Sequence, residues 1–235
     1  MKPKLVTFDC AQTLLEVDWQ VGRFALRCAR EAGLDLGEDA ANRYEQLYYT
    51  RHAHYLELNK SRDSAACDAF WQQVTQDWIS AEGFDPDEWQ PKVQAISDEI
   101  GFSENSQIFK VFPDVFPCLD RLSELGIKVA IISNWDYSLH RILTALGLKD
   151  RFDLVVASLE EGFEKPDPRI FIETLEKLGV SPRESLHVGD DALDDLKGAR
   201  DVGMRAVLID RKLTSPLPPY ISSLDQLFGA FEWSA

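Results

Sequence analysis

Four stretches of the sequence carry groups able to hold and transfer a small anion. Asp9-Cys10-Ala11-Gln12-Thr13 offers a carboxylate and, four residues on, a hydroxyl. Ser133-Asn134 offers a hydroxyl beside an amide. Glu164-Lys165-Pro166-Asp167 offers one ammonium. Gly189-Asp190-Asp191-Ala192-Leu193-Asp194-Asp195 is a dense run of acids. Singly, each has a plain explanation: an Asp caps a turn, a Lys is solvated, an acidic loop aids solubility. Together they are coherent chemistry. Asp9, Asp190 and either Asp191 or Asp195 crowd negative charge that cannot all ionise cheaply without a cation. Oxygen-only ligands favour Mg²⁺, which keeps waters and binds phosphate oxygens. Lys165 supplies a fixed positive charge, and Thr13, Ser133 and Asn134 supply neutral donors for an oxyanion. An aspartate nucleophile among Mg²⁺, a lysine and hydroxyl donors is the equipment of phosphoryl transfer through an aspartyl-phosphate.

These groups need a scaffold that brings them together. Short runs that are apolar on both faces occur at 5–8, 129–132, 154–157, 186–188 and 206–209. Such strands suit a parallel sheet covered by helices, with ligands beyond the strands' carboxyl ends. All four chemical stretches follow one of these runs, in order. Between them lie punctuated helices. Asp136 caps one that Gly147 ends, and Asp167-Pro168 opens one that Gly179 ends. Ser181 and Glu184 have capping-box spacing on a short turn, and a stretch at 193–202 ends at Gly203. The expected fold is a doubly wound, Rossmann-like α/β sheet.

Residues 17–110 interrupt it, with no strand pattern and helical stretches at 22–32, 40–58, 65–81 and 87–99. They read as an inserted all-helical cap domain, leaving 1–16 and 111–235 as the α/β core. Trp19, Trp71, Trp78 and Trp89 are expected to fill the core of that bundle. Residues 216–219 read as a surface connection before a short amphipathic tail at 221–231.

Composition narrows the partners. The 235 residues carry a formal charge of −15, which repels phosphate backbones and anionic lipid. No nucleic acid and no membrane are expected, and no apolar run is long enough to span a bilayer. The start of the chain has no secretory pattern. Cys10, Cys28, Cys67 and Cys118 lack zinc or redox spacing, so reduced, buried thiols in a cytoplasmic protein are expected.

In these four ordered motifs the sequence resembles the haloacid dehalogenase superfamily of hydrolases, and the helical insertion resembles the cap that many members carry. The resemblance implies that Asp9 is the nucleophile and a metal ligand. The backbone carbonyl of Ala11 and Asp190 would be further Mg²⁺ ligands, and Ser133 and Asn134 would bind the transferring group. Lys165 would pair with Asp9 and the phosphate. Asp195 would fill the second acidic position of the fourth motif, with Asp191 in support. The stretches at 132–134, 165–171 and 187–190 are similar to those of the haloacid dehalogenase-like hydrolase domain-containing protein 3 group. The implied function is hydrolysis of a small phosphorylated metabolite by a monomer or homodimer.

One position departs from the phosphatase pattern. Members that hydrolyse phosphate esters usually carry a second Asp two residues after the nucleophile, as general acid and base; here it is Ala11. Such catalysis is worth ~10²–10⁴-fold, so low activity on generic esters is expected. Haloacid dehalogenases also lack that Asp, but they need no metal, and the acidic fourth motif argues against them. Phosphonoacetaldehyde hydrolases carry Ala there, yet need a cap lysine, and neither Lys60 nor Lys92 has a diagnostic context. A catalytically impaired phosphate-binding regulatory protein is the remaining alternative.

Other residues have plainer readings. Cys10 should turn away from Asp9, because successive strand residues face opposite sides. His187 reads as a core or supporting histidine, His140 as part of a solvated helix face, and Trp135 as lining the mouth of the site or packing its loop. Tyr48, His52 and Tyr55, with Arg51 beside them, share a helix face that would suit substrate selection or packing within the cap.

Overall fold

The run Leu-Val-Thr-Phe forms β1 (Leu5–Phe8), buried at all four positions. A computed structural model of the protein describes residues 2–215, 217 and 219–230. In chain order β1 is followed by β2 (Leu15–Val17), then α1 (Val21–Glu31), α2 (Asp39–Lys60), α3 (Ser64–Ala81) and α4 (Pro86–Gly101). Next come β3 (Phe109–Val111), α5 (Val115–Glu124), β4 (Lys128–Ser133), α6 (Ser138–Ala145), β5 (Leu154–Ala157), α7 (Ser158–Glu161) and α8 (Pro168–Leu178). The chain closes with β6 (Ser185–Gly189), α9 (Gly198–Asp201), β7 (Arg205–Ile209), β8 (Tyr220–Ile221) and α10 (Leu227–Ala230). It divides into two compact units, Met1–Val17 with Lys110–Ala235, and Asp18–Phe109.

The first unit holds a six-stranded sheet in the order β5-β4-β1-β6-β7-β8, with every pair parallel. Counted among themselves, these strands run 3-2-1-4-5-6, the Rossmann order. The order reverses at β1, where Phe8 pairs with Ile131 of β4 on one side and Val188 of β6 on the other. Asp9, Ser133 and Asp190 therefore leave the sheet along one edge, at the switch point where ligands bind in such folds. Leu5, Ala130, Ile132 and Val156 of the sheet pack with Ile170, Phe171 and Leu175 of α8 and Ala199 of α9. Each fully buried Leu, Ile or Phe contributes about 1.5–3 kcal/mol, which makes this layer a stiff base for the site.

Local chemistry sets the elements. The Asp167 side chain accepts from the Arg169 backbone N–H at 2.9 Å, Pro168 opens α8, and Gly179 closes it at φ +67°. The Asp136 side chain accepts from the Ser138 N–H at 2.8 Å as α6 begins. Ser181 donates to Glu184 at 2.6 Å across the short turn before β6.

In the second unit α1–α4 form a helical bundle. α1 and α2 meet so closely that a Cβ on Gly22 would fall 2.2 Å from the Ala41 carbonyl oxygen. Asp63 and Asp85 cap α3 and α4. The expected tryptophan core needs correction. Trp78 is fully buried and donates to the Ala40 carbonyl at 3.0 Å, and Trp71 and Trp89 are half-buried. Trp19 lies 39% exposed, its ring tilted against Phe24, because it sits on the lead-in to α1 rather than on a helix face.

The sequence pattern also passes over α5 and the short strands β2, β3 and β8. The stretch read as one helical run at 193–202 is a widened turn, Ala192–Lys197, followed by α9. Of the connection and tail expected at 216–231, Pro216, Pro218 and Phe231 lie outside the described residues. Among the described residues no helix is long and apolar enough to cross a membrane.

Candidate active site

Asp9 follows β1 and is buried; its Oδ1 accepts from Lys165 Nζ at 2.6 Å and from Ser133 Oγ at 3.0 Å. Lys165 Nζ also donates to Asp195 Oδ1 at 2.6 Å, so one ammonium lies between two carboxylates, all three nearly inaccessible. Burial works against the Lys165 charge, but Asp9 and Asp195 outweigh it and hold the lysine well above its ordinary value. Burial likewise lifts the Asp9 carboxyl, and the Asp195 charge adds to this; Lys165 offsets only part of it.

Behind Lys165 runs a buried polar line. Asp195 Oδ1 lies 3.0 Å from His187 Nε2, and His187 Nδ1 lies 2.8 Å from Thr7 Oγ1. An ionised carboxylate only accepts, so Nε2 carries a proton and donates to Asp195. Asp195 Oδ2 accepts from the Asp191 N–H at 2.9 Å. Burial would raise the Asp195 carboxyl, but the His187 hydrogen bond and the Lys165 charge hold it far below the usual carboxylate range. The widened turn carries Asp195 inward to this position, and local widenings of this kind recur at functional sites.

The other expected residues take distinct places. Asp191 Oδ1 accepts from the Leu193 and Asp194 N–H groups, both at 2.7 Å, so its side chain caps the turn. Asn134 engages the Lys165 backbone: its Oδ1 accepts from Lys165 N–H at 2.8 Å and its Nδ2 donates to Lys165 O at 3.0 Å. Asn134 Nδ2 also reaches Asp194 Oδ2 at 3.2 Å. This amide fixes the lysine loop, whereas the sequence reading aims it at the anion. Thr13 is buried, and its hydroxyl donates to Asp190 Oδ1 at 3.5 Å. Gln12, between Ala11 and Thr13, has φ +55°, a left-handed backbone that costs a non-glycine residue about 1–2 kcal/mol.

The donor set suits a hard divalent cation. Asp9, Asp190 and Asp195 bring carboxylate oxygens within 4.8 Å of one another. Asp195 already accepts from Lys165, His187 and the Asp191 backbone, so Asp9 and Asp190 are the better placed to ligate. Burial, then the charges of Asp9 and Asp195, push Asp190 up to about 7. A cation held by oxygens would relieve that repulsion.

The neighbouring residues have ordinary roles. Burial, then the Asp9 charge, pushes the Cys10 thiol well up, which removes it as a nucleophile. Cys10, Cys28, Cys67 and Cys118 are all buried. His140 pairs with Glu160 at 3.0 Å, where the sequence reading has it solvated. Trp135 donates to Ser138 Oγ at 3.1 Å. Tyr48 stacks on Trp71, and Tyr55 is buried and accepts from Trp71 Nε1 at 3.0 Å, so this face packs within the helical unit. Arg51 pairs with Asp77 at 2.5 Å. Sequence reasoning missed Arg211 and Asp114, which meet at 2.5 Å beside the Asp9 loop. Arg211 stands two residues past β7, and the strand-end rule that located the motifs, carried one strand further, would have found it.

A Rossmann-order sheet with aspartate, lysine and acidic turn gathered at its switch point is the layout of a class of α/β hydrolases. The chain belongs to the haloacid dehalogenase-like hydrolase family, whose profile matches residues 3–203. It is 30% identical over 229 residues to haloacid dehalogenase-like hydrolase domain-containing protein 3 of Danio rerio, covering 94% of this chain and 93% of that protein. It is 37% identical over 219 residues to a glyceraldehyde 3-phosphate phosphatase of Methanothermobacter thermautotrophicus, covering 90% and 87%. Among solved structures, a 2-haloacid dehalogenase from Pseudomonas syringae superposes with a TM-score of 0.67 at 26% identity, covering 97% of both chains.

Proposed function

We propose that the protein is a Mg²⁺-dependent phosphatase of a small phosphorylated metabolite, with the unit 18–109 as its cap. The observation that carries this reading is Lys165 Nζ between Asp9 and Asp195, with Ser133 on the same Asp9 oxygen. The phosphatase relatives and the acidic cluster of Asp9, Asp190 and Asp195 support it. Asp9, Asp190 and the backbone carbonyl of Ala11 would hold Mg²⁺, which when bound neutralises phosphate charge.

An Asp9 carboxylate oxygen attacks phosphorus in line and forms the aspartyl-phosphate as the bond to the leaving oxygen breaks. Lys165 and the donors of Thr13 and Ser133 hold the equatorial oxygens; Asn134 and Asp195 hold Lys165. The leaving oxygen takes a proton. Water then attacks phosphorus, gives up a proton, and releases phosphate and the Asp9 carboxylate. Ala11 neither donates the first proton nor accepts the second, so substrate, solvent or a cap residue carries both, and turnover on generic esters is slow.

A panel of phosphorylated metabolites with and without Mg²⁺ tests this. Mg²⁺-dependent phosphate release that Asp9→Asn abolishes is expected; no release from any member would leave a phosphate-binding protein. A second reading, displacement of halide from a 2-haloacid, is favoured by Ala11 and by the solved dehalogenase. Metal-independent halide release from 2-chloropropionate would establish it. Asp190, beside an anionic substrate, argues against it.

A further inference from the structure

Outside the four motifs, one buried cluster ties the Asp9 loop to two other parts of the core unit. Arg211 Nη1 donates to Asp114 Oδ2 at 2.5 Å, and Arg211 Nη2 donates to the backbone carbonyl of Thr13. The guanidinium lies over the Phe112 ring, 4.0 Å from its centroid. Asp114 Oδ2 also accepts from the Leu224 N–H and from Ser223 Oγ, both at 2.8 Å. The Arg211 and Asp114 side chains are only 17% and 7% exposed, so this is no solvent-screened surface pair.

We infer that Arg211 is a positioning residue for the Asp9–Thr13 loop. Its planar fork donates in two fixed directions at once, to a carboxylate and to a carbonyl, and a lysine ammonium cannot reproduce that geometry. The Thr13 carbonyl is the point of attachment, and the same residue's hydroxyl donates to Asp190. The next residues are held from both sides: Leu14 N–H and Leu15 N–H donate to the Cys10 carbonyl, both at 2.9 Å, and Phe112 N–H donates to Leu14 O at 3.1 Å. Gln12 keeps its left-handed backbone inside this frame, and such strain persists only where the surroundings over-determine it. Asp114, fixed by Ser223 and Leu224, anchors the arginine.

Amide hydrogen exchange on Arg211→Lys and Arg211→Met tests this without reference to any activity. The lysine variant keeps a cation opposite Asp114 and loses the second arm; the methionine variant keeps the stem over Phe112. In both, the Leu14, Leu15 and Phe112 amides should exchange at least about 10-fold faster, while the β4 and β6 amides keep wild-type rates. Unchanged loop amides, or equal acceleration in all strands, would overturn the inference. A second arm rests on the phosphatase reading. With p-nitrophenyl phosphate and Mg²⁺, kcat should fall about 10²-fold at unchanged KM. An unaltered kcat, in a wild type that does turn over, would also overturn the inference. A wild type without turnover sinks only the phosphatase reading, and the exchange result still decides the role of Arg211.

Discussion

Gly189 and Asp195 compete for one volume: a Cβ on Gly189 would fall 2.1 Å from Asp195 Cγ and 2.3 Å from its Oδ2. The Asp195 carboxylate cannot swing away freely, because Lys165, His187 and the Asp191 N–H all hold it. Gly189→Ala should therefore displace Asp195 and loosen Lys165. The expected loss in kcat is about 10²-fold, since misplacements near 1 Å cost that much. Phosphate-release kinetics on Gly189→Ala, with Gly37→Ala as a control whose Cβ would meet no neighbour, check it.

Removing the lysine should do more than slow turnover. Lys165→Met leaves Asp9 and Asp195 facing each other in a buried site, and breaking a buried pair in this way costs about 3–5 kcal/mol. Without Lys165, burial and mutual repulsion raise both carboxyls in the folded state. A raised carboxyl favours folding below its unfolded value and opposes it above. The stability gap to wild type should thus be wide at pH 8 and narrow toward pH 4. Denaturant melts across that range decide it; a gap independent of pH would contradict the pairing.

Restoring a carboxylate at position 11 should accelerate hydrolysis. Ala11→Asp returns the missing acid and base, and the gain expected is ~10²–10⁴-fold in kcat. The measurement is phosphate release from the best substrate of the panel. A folded variant with no gain would count against an aspartyl-phosphate route.

Metal binding should be visible in stability. Mg²⁺ that binds only the folded chain raises the melting temperature with concentration. Asp190→Asn removes one expected ligand and should abolish that rise, whereas Asp194→Asn, half-buried and outside the cluster of Asp9, Asp190 and Asp195, should leave it intact. Thermal melts in a Mg²⁺ series compare the two.

Asp114 offers a pH test away from the proposed metal ligands. Burial acts to raise its carboxyl, but hydrogen bonds from Arg211, Leu224 N–H and Ser223, with the Arg211 charge, bring it below 3.8. A depressed carboxyl contributes stability above its unfolded value and loses it as pH falls through the folded value. Asp114→Asn should therefore be less stable than wild type at pH 7, with the difference closing below about pH 4. Urea midpoints at pH 7 and pH 3 read this directly.

The sequence displayed the long-range layout more clearly than its joints. The strands 5–8 and 154–157 coincide with β1 and β5 because a strand buried on both faces has no alternative pattern. β2, β3 and β8 are two or three residues long, too short to show a period. α5 is masked by Pro113 and Pro117, which read as loop, although Pro117 falls in the first turn, where N–H groups have no helical partner anyway. Within the site, residue types mark Asp9, Lys165 and the acidic turn. Spacing cannot separate Asp191 from Asp195; only the widened turn sends Asp195 to Lys165 and leaves Asp191 as a cap. The strand-end rule reaches the position of Arg211, but its partners, a carbonyl and an aspartate 97 residues away, leave no local pattern that tells its role.

The central place of β1 also dictates an order of assembly. Asp9 and Ser133 lie 124 residues apart in sequence, and Thr7 and His187 lie 180 apart. During synthesis the first strand emerges with neither neighbour available, while the contacts of α1–α4 are local and form early. The surroundings of Asp9 are thus completed only when β6 and the turn after it arrive. A chain cut short before residue 185 leaves Asp9 without the strand that carries His187 and without the acidic turn, so the candidate site matures only late in synthesis.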